Sequence, residues 1–415
     1  MRLSTVVRSL FVSTLVTGMF VWPTLNLALG QSRRQPPTST EKKNKRPTEP
    51  GQQQPEQKPE DPPPTDVVGK IQDAEKITIS TQVVNVDAVV YHKKSGQVVT
   101  GLKKENFAIF IDNGVKQTIT NFSTPEAPIT AALVVEYSKL SEALGRAGSG
   151  GWEPGTYEVL RPVAMFLSQF VKPPDDYVSV IAFDMRPTPL TDFTNNPARI
   201  NQVINLLLRN SPAFRETNLY DALKFVLVGG RGDSVVLDDS KEAKSDYAGL
   251  VSVQGRRRAV ILVASGIDTF SKINYGDARK ILQNSGVPVY IIGTGNLFFK
   301  KYGDQIGAQD GLLGDPGRMS FLQAQNALKT FAGETGGAYY PVTFEGEIPK
   351  VLGSINSLLR SQYSLAFNPG EVRDGKQHKI KVSVDVNGDG VYDDKEFTIQ
   401  ARQIYNSPKP DAAKK

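Results

Sequence analysis

Apolar positions along the chain follow three successive rhythms. Over residues 76–124 they alternate with polar ones in ITISTQVVNVDAVVYH, and, after Lys94-Ser95-Gly96, in VVTGL, FAIFIDNG and KQTITNF. A period of two predicts half-buried strands, and Asn113-Gly114 predicts a tight hairpin between two of them. From Ile129 the rhythm changes to uncharged runs rich in β-branched residues: ITAALVV at 129–135, YVSVIAF, RAVILVA at 258–264, and PVYIIGTG. Each predicts a strand covered on both faces, as in a parallel sheet. Between them, apolar residues spaced three and four apart predict helices over 157–171, 199–209, 219–228, 277–284, 321–332 and 348–359. Residues 229–255 read as a long polar loop. After Gln362 the alternation returns in QYSLAFNP, HKIKVSVDV and KEFTIQAR. The predicted fold class is α/β. A doubly wound, mostly parallel sheet is flanked by an antiparallel, β-sandwich-like unit built from the N- and C-terminal segments.

The ends of the chain read differently. Arg2 and Arg8 precede the apolar run LFVSTLVTGMFVWPTL, which exits through Ala28-Leu29-Gly30. That order predicts a secretory signal over 1–30. The run is near the minimum for a membrane anchor, but Pro23 and the small-residue exit favour cleavage. No transmembrane span is expected after signal cleavage. Residues 31–75 are mainly Pro, Gln, Glu, Lys and Thr, too polar to bury a core, and predict a disordered tether. The remaining segments read as a β unit over 76–125, the α/β domain over 126–361, a second β unit over 362–406, and a disordered tail over 407–415.

Composition narrows the setting. The 415 residues include no cysteine, which excludes a disulfide framework, a thiol nucleophile, thiolate metal ligation and lipidation at cysteine. An exported chain of this kind suits a bacterial envelope, with the periplasm, the cell surface and the medium as destinations. The net charge of +6 comes largely from the N-terminal segment, the last residues and Arg256-Arg257-Arg258. These clusters have no interleaved aromatic residues, so nucleic acid is not an expected partner.

A buried parallel strand delivers the residues after it to the carboxyl edge of the sheet, where open α/β folds bind ligands. After residues 129–135 the chain continues Glu136-Tyr137-Ser138-Lys139-Leu140. Further on, Thr217 precedes the helix opening Leu219-Tyr220-Asp221-Ala222-Leu223, and Ser265-Gly266-Ile267-Asp268-Thr269 ends a later strand. In this order the motifs resemble a von Willebrand factor A domain. The lead-in VVNVDAVVYHKKSGQVVTGL, the stretch KENFAIFIDNG and the tail LRSQYSLAF are most similar to the von Willebrand A-related proteins of acidobacteria. The resemblance covers about residues 77–405.

The resemblance implies a doubly wound fold and a metal-ion-dependent adhesion site. In that site an Asp and two Ser of the first loop, a Thr of the second and an Asp of the third hold a divalent cation. The metal keeps one position open for a partner's carboxylate. Here Glu136 stands in place of the Asp, Ser138 matches the first Ser, and Leu140 replaces the second. Thr217 matches the Thr. Ser265 replaces the third-loop Asp, with Asp268 three residues on as a substitute. Magnesium and manganese demand near-octahedral geometry, so the implied site is degenerate and tight binding of either ion is not expected.

A second candidate lies near the C-terminus, where Asp385, Asn387, Asp389, Gly390, Val391, Asp393 and Glu396 fit the spacing of a calcium loop. Alternate oxygens can wrap a hard cation there, and Gly390 permits the sharp turn. The flanks read as strands, so calcium would staple a hairpin, and a solvated hairpin turn is the competing reading.

Other motifs carry less. Arg231-Gly232-Asp233 falls in the polar loop and reads as chance. Gly293-Thr294-Gly295 follows a strand but lacks a third glycine and a following helix start, so nucleotide binding is not expected. His92 and His378 read as solvated surface residues, and Asp175-Asp176 and Asp238-Asp239 as solvated loop carboxylates. With no nucleophile elbow, zinc-protease helix or phosphate loop, the chain is not expected to be an enzyme. The leading expectation is recognition of a protein or envelope ligand through the carboxyl edge of the central sheet. Structural scaffolding of an envelope assembly is the alternative, and a hydrolase with an unfamiliar site is third.

Overall fold

The computed structural model describes residues 83–407, apart from 113, 126, 143–145, 149–150, 154, 234–243, 255, 312–315 and 371–373. All of them lie in one compact unit, Ala74–Lys415. The expected signal and tether, the tail from 408 onward, Asn113 and Asp238-Asp239 fall outside the described residues; Ser407, expected in the disordered tail, is instead buried, with its amide donating to the Lys376 carbonyl at 2.9 Å.

In chain order, four strands come first: β1 (Val84–His92), β2 (Phe107–Ile111), β3 (Val115–Gln117) and β4 (Ile119–Ser123). Then come β5 (Ile129–Glu136), α1 (Gly155–Phe170), β6 (Tyr177–Phe183), β7 (Pro187–Thr194), α2 (Pro197–Arg209) and α3 (Leu219–Val228). After these come β8 (Arg257–Ala264), α4 (Tyr275–Ser285), β9 (Val289–Gly293), α5 (Gly295–Tyr302), α6 (Arg318–Thr335), β10 (Tyr339–Pro341) and α7 (Ile348–Arg360). The last four strands are β11 (Tyr363–Phe367), β12 (Gln377–Val384), β13 (Phe397–Ala401) and β14 (Ile404–Asn406).

The six middle strands form one sheet in the order β10-β9-β8-β5-β6-β7. All neighbours are parallel except β6 and β7. Every residue of β5 is buried, and its side chains divide between two layers. Ile129, Ala131, Leu133 and Val135 pack with α1, α2 and α7, while Ala132 and Val134 pack with α3, α4 and α6. The helices reach those layers through ordinary local signals. In α2, Ile200, Val203, Ile204 and Leu207 form one buried stripe, and the Asn196 side chain caps the start by accepting from the Ala198 amide at 2.9 Å.

The outer strands form two four-stranded antiparallel sheets, β13-β1-β11-β4 and β14-β12-β2-β3. The first and last thirds of the chain are therefore paired directly: Val84 lies opposite Phe367 and Ile111 opposite Ile380. Alternate residues Val84, Val86, Ala88 and Val90 of β1 meet Ile109, Tyr363, Phe367 and Val384 in one apolar cluster between the sheets. Val89 turns the other way and joins the α/β core.

Several sequence expectations are corrected. The polar loop over 229–255 contains a short hairpin in which Gly230–Asp233 pairs with Lys244–Tyr247, so Arg231-Gly232-Asp233 lies in a strand. Tyr247 and Leu250 are buried there. A helix does follow Gly293-Thr294-Gly295, namely α5. Gly293 has a packing reason, because a Cβ would fall 2.5 Å from the Tyr339 ring. Asp176 is buried and not solvated: it accepts from the amides of Ile129 and Lys172 and pairs with Arg360. His378 is not a free surface residue. Its ring bridges Asp112 at 2.6 Å and Asp374 at 3.1 Å, and it stacks on Tyr405.

Candidate functional site

The strand order reverses between β5 and β8, which leave the sheet side by side before their connections diverge. A doubly wound sheet forms its ligand crevice at that switch point, beyond the carboxyl ends of the strands. The register pairs Val135 with Val263, so Glu136 and Ser265 emerge together just past the last pair.

The two residues are joined. One Glu136 carboxylate oxygen accepts from both the Ser265 amide and the Ser265 hydroxyl, each at 2.7 Å. The other accepts from the Ser138 hydroxyl at 2.9 Å. Glu136 is 4% exposed, and Ser138 and Ser265 are buried with it. Burial pushes the Glu136 carboxyl above the ordinary range, and the three donors pull it back down. Ser141 supports the loop by donating its hydroxyl to the Ser138 carbonyl at 2.7 Å.

Thr217 and Asp268 belong to a neighbouring network. The buried Thr217 hydroxyl donates to the Ile267 carbonyl at 2.7 Å, and the Thr217 carbonyl accepts from the amides of Thr269 and Phe270, both at 2.9 Å. Asp268 reaches back to the start of α3, where one oxygen accepts from the amides of Leu219 at 2.9 Å and Tyr220 at 3.3 Å. It is a helix cap supplied by a different loop. Burial raises the Asp268 carboxyl, opposed by the Ser271 hydroxyl and the two amides.

The five candidate residues therefore fall into two hydrogen-bonded groups, Glu136–Ser138–Ser265 and Thr217–Asp268. The loop 265–271 links them. Leu140 packs beside Ile267 and Phe321 in a small apolar cluster. Among the described residues, no three His, Cys, Asp or Glu side chains are placed to hold a metal ion. Sequence reading missed the bond between the strand tips. Its signal was a Glu where the resemblance implies the shorter Asp, facing a Ser where the resemblance implies an acid.

The C-terminal loop is held by its own side chains. Asp385 is buried, and its two oxygens accept from the amides of Gly388 at 2.7 Å and Gly390 at 2.8 Å. Asp389 accepts from the Val391 amide, Asn387 from the Asp389 amide, and Asp393 from the Val386 amide. Val391 and Glu396 are exposed. Gly388 and Gly390 take φ of 78° and 87°, which favours glycine at both turns.

The carboxyl edge also carries exposed apolar side chains. Phe214 is 38% exposed beside Lys139, whose amide donates to its carbonyl, and Phe270 is 51% exposed beside Thr217. Met319 and Leu322 are exposed on the first turns of α6, either side of the buried Phe321 that packs near Leu140.

No family model and no curated protein matches the chain. Similar solved structures include proximal thread matrix protein 1 from the mussel byssus, 13% identical with a TM-score of 0.37, covering 60% of this chain and 50% of that one. This chain thus spans half the length of the mussel protein. BatB from Bacteroides thetaiotaomicron is 13% identical with a TM-score of 0.35, over 56% of this chain and 100% of that one. The vWF domain of the type V pili tip protein Mfa5 from Porphyromonas gingivalis is 13% identical with a TM-score of 0.36, over 57% and 95%. The fold class rests on the strand order and helix layers described above.

Proposed function

We propose that the chain is an exported, von Willebrand A-like recognition module. It engages a protein or envelope ligand through the carboxyl edge of its central sheet, without a metal ion. The observation that carries this reading is the Glu136 carboxylate, closed by three donors from Ser138 and Ser265 at the switch point. A cation bound to Glu136 at that point would compete with these three donors for the carboxylate oxygens. The Thr217 hydroxyl donates to a backbone carbonyl, the Asp268 carboxylate accepts from two amides and the Ser271 hydroxyl, and the Leu140 side chain offers no oxygen.

What remains for a partner is the apolar rim. Exposed large apolar side chains grouped at one edge favour a protein ligand, because their desolvation is favourable and needs no charge pairing. Among the described residues, no helix is long and apolar enough to cross a membrane. The signal read in residues 1–30 supports an envelope setting.

The test is capture from envelope extracts by the full chain and by Phe270→Asp/Leu322→Asp, each with and without EDTA. The reading expects a specific partner that survives chelation and is lost in the double variant. Loss of capture on chelation, or undiminished capture by the double variant, contradicts it.

A further inference from the structure

His378 lies near the start of β12, at the corner where the sheet β14-β12-β2-β3 meets the end of α4. Its ring Nδ1 faces Asp112 Oδ2, just past the end of β2, at 2.6 Å. Its Nε2 faces Asp374 Oδ1, just ahead of β12, at 3.1 Å. The ring stacks on the buried Tyr405 of β14 with centroids 5.1 Å apart, and only 12% of the side chain is exposed. Water therefore has little access to replace a partner that the ring loses.

Each carboxylate is fixed by the backbone around it. The other Asp112 oxygen accepts from the Lys379 amide at 3.0 Å. The Asp374 oxygen that meets the ring also accepts from the Lys376 amide at 2.9 Å and from the Ser407 hydroxyl. Ser407 Oγ accepts from the Asp374 amide at 3.2 Å and the Gly375 amide at 3.0 Å, and the Ser407 amide donates to the Lys376 carbonyl at 2.9 Å. Residues 374–376 and Ser407 thus form one hydrogen-bonded cluster, which the imidazole ties to Asp112. Beside it, Gln377 Nε2 donates to Gln283 Oε1 at 3.2 Å. Asn406 Nδ2 donates to Gln283 Oε1 at 3.0 Å and to Asn284 Oδ1 at 2.8 Å, so the same corner holds the last turn of α4.

Carboxylates only accept, so both ring nitrogens must donate, and an imidazole carries two N–H groups only when protonated. A neutral ring serves one carboxylate and turns a lone pair toward the other. Burial opposes the charge, but hydrogen bonds and charge from Asp112 and Asp374 hold the ring above its ordinary 6.5. Among the described residues, these two carboxylates are the charged groups acting on it. Lys376 and Lys379 meet the carboxylates through their amides, and Tyr405 stays neutral, its hydroxyl pushed up to about 12 by burial.

We propose that His378 is a pH-operated latch: the protonated ring joins the 374–376 and Ser407 cluster to Asp112, and loss of its proton releases the Asp374 arm and loosens the corner that holds α4. The Asp374 arm is the one released because the Asp112 contact is shorter and Asp374 keeps its bonds to Lys376 and Ser407. The latch is closed below pH 6.5 and opens as pH rises through the folded value. It does not depend on the recognition reading of the carboxyl edge.

The test combines NMR of the full chain carrying isotope-labelled histidine with amide hydrogen exchange at about pH 5.5 and about pH 8.5, expressed as protection factors. His92 and His378 are the only histidines, so a His92→Gln sample leaves one set of ring signals. At the lower pH both ring nitrogens of His378 should carry protons. Between the two conditions, protection of the Gly375, Lys376 and Ser407 amides should fall about tenfold further than that of Leu133 in β5, which reports opening of the whole fold. That is about the factor belonging to one charge-assisted hydrogen bond. His378→Gln should abolish this excess. Asp112→Asn should keep the latch closed at the higher pH, because its side-chain amide donates to a neutral Nδ1 and leaves the Nε2–H for Asp374. That substitution is mild, since Asp112 is exposed and its φ of 47° is one that asparagine adopts readily. The proposal is overturned if the ring is neutral at the lower pH, or if the three amides change only in step with Leu133. It is equally overturned if His378→Gln keeps the excess, or if Asp112→Asn opens as wild type does.

Discussion

Ser265→Ala is the perturbation that isolates the bond between the strand tips. It removes one oxygen from a buried position and adds no bulk. The lost hydroxyl donates at 2.7 Å to a buried carboxylate, and a hydrogen bond to a charged group contributes about 1.5–3 kcal/mol. The same oxygen accepts from the Ile267 amide at 3.2 Å, and that lost bond adds about 1 kcal/mol. Together they give an expected destabilisation of about 2.5–4 kcal/mol at pH 7.

Glu136→Gln is the control. It keeps a carbonyl acceptor for Ser265 and removes a charge that burial disfavours, so its own effect should stay within about 1 kcal/mol. In that background Ser265→Ala removes a bond to a neutral acceptor and should cost about 1–2 kcal/mol. Urea unfolding followed by far-UV circular dichroism measures all four chains of the cycle. The pH dependence gives a second readout with a definite sign. The Glu136 carboxyl lies above its ordinary value of 4.5 in the folded chain, so the folded state holds this proton more tightly than the unfolded state. Its contribution to stability is full below pH 4.5 and is lost as pH rises through the folded value. Glu136→Gln should flatten that slope. A loss below about 0.5 kcal/mol for Ser265→Ala, or an unchanged slope in Glu136→Gln, refutes the reasoning.

Other residues give further expected outcomes. His378 sits above its ordinary 6.5 because hydrogen bonds and charge from Asp112 and Asp374 outweigh the opposing effect of burial. Its stabilisation is present below pH 6.5 and lost as pH rises through the folded value, so melting curves of His378→Gln should fall below wild type at pH 5.5 and converge toward it at pH 8.5. Leu140→Ser supplies the hydroxyl that the von Willebrand A resemblance implies but removes an apolar contact beside Ile267 and Phe321. It should cost about 1–2 kcal/mol in urea, and an unchanged midpoint would show that Leu140 does not pack there. Calcium at residues 385–396 is tested by isothermal titration. The ligand spacing predicts heat in wild type that Asp389→Ala removes, and no heat at millimolar calcium would contradict a calcium site there.

Much of the fold was legible because apolar rhythm reports burial directly. The fully buried runs of β5, β6, β8 and β9 mark a sheet covered on both faces, and α3 matches its predicted span, 219–228, with Gly229 at a φ of 82° just beyond it. β7 was not legible, since Pro187 and Pro189 argue against a central strand. It is an edge strand with an irregular register, a place that tolerates proline. α5 was missed because eight residues opening on glycine give little helical signal. At the candidate site the sequence supplied the residues but not their pairings. Hydrogen bonds such as Glu136 to Ser265 span 129 positions, and only the strand register brings them together. The bridge from His378 to Asp112 was hidden for the same reason, since the two lie 266 positions apart.

The most direct test of the central claim is isothermal titration of the full chain with magnesium and with manganese. A carboxylate closed by Ser138 and Ser265 predicts no saturable heat from the carboxyl edge with either ion. A one-to-one isotherm that vanishes in Glu136→Gln and Ser138→Ala would contradict it.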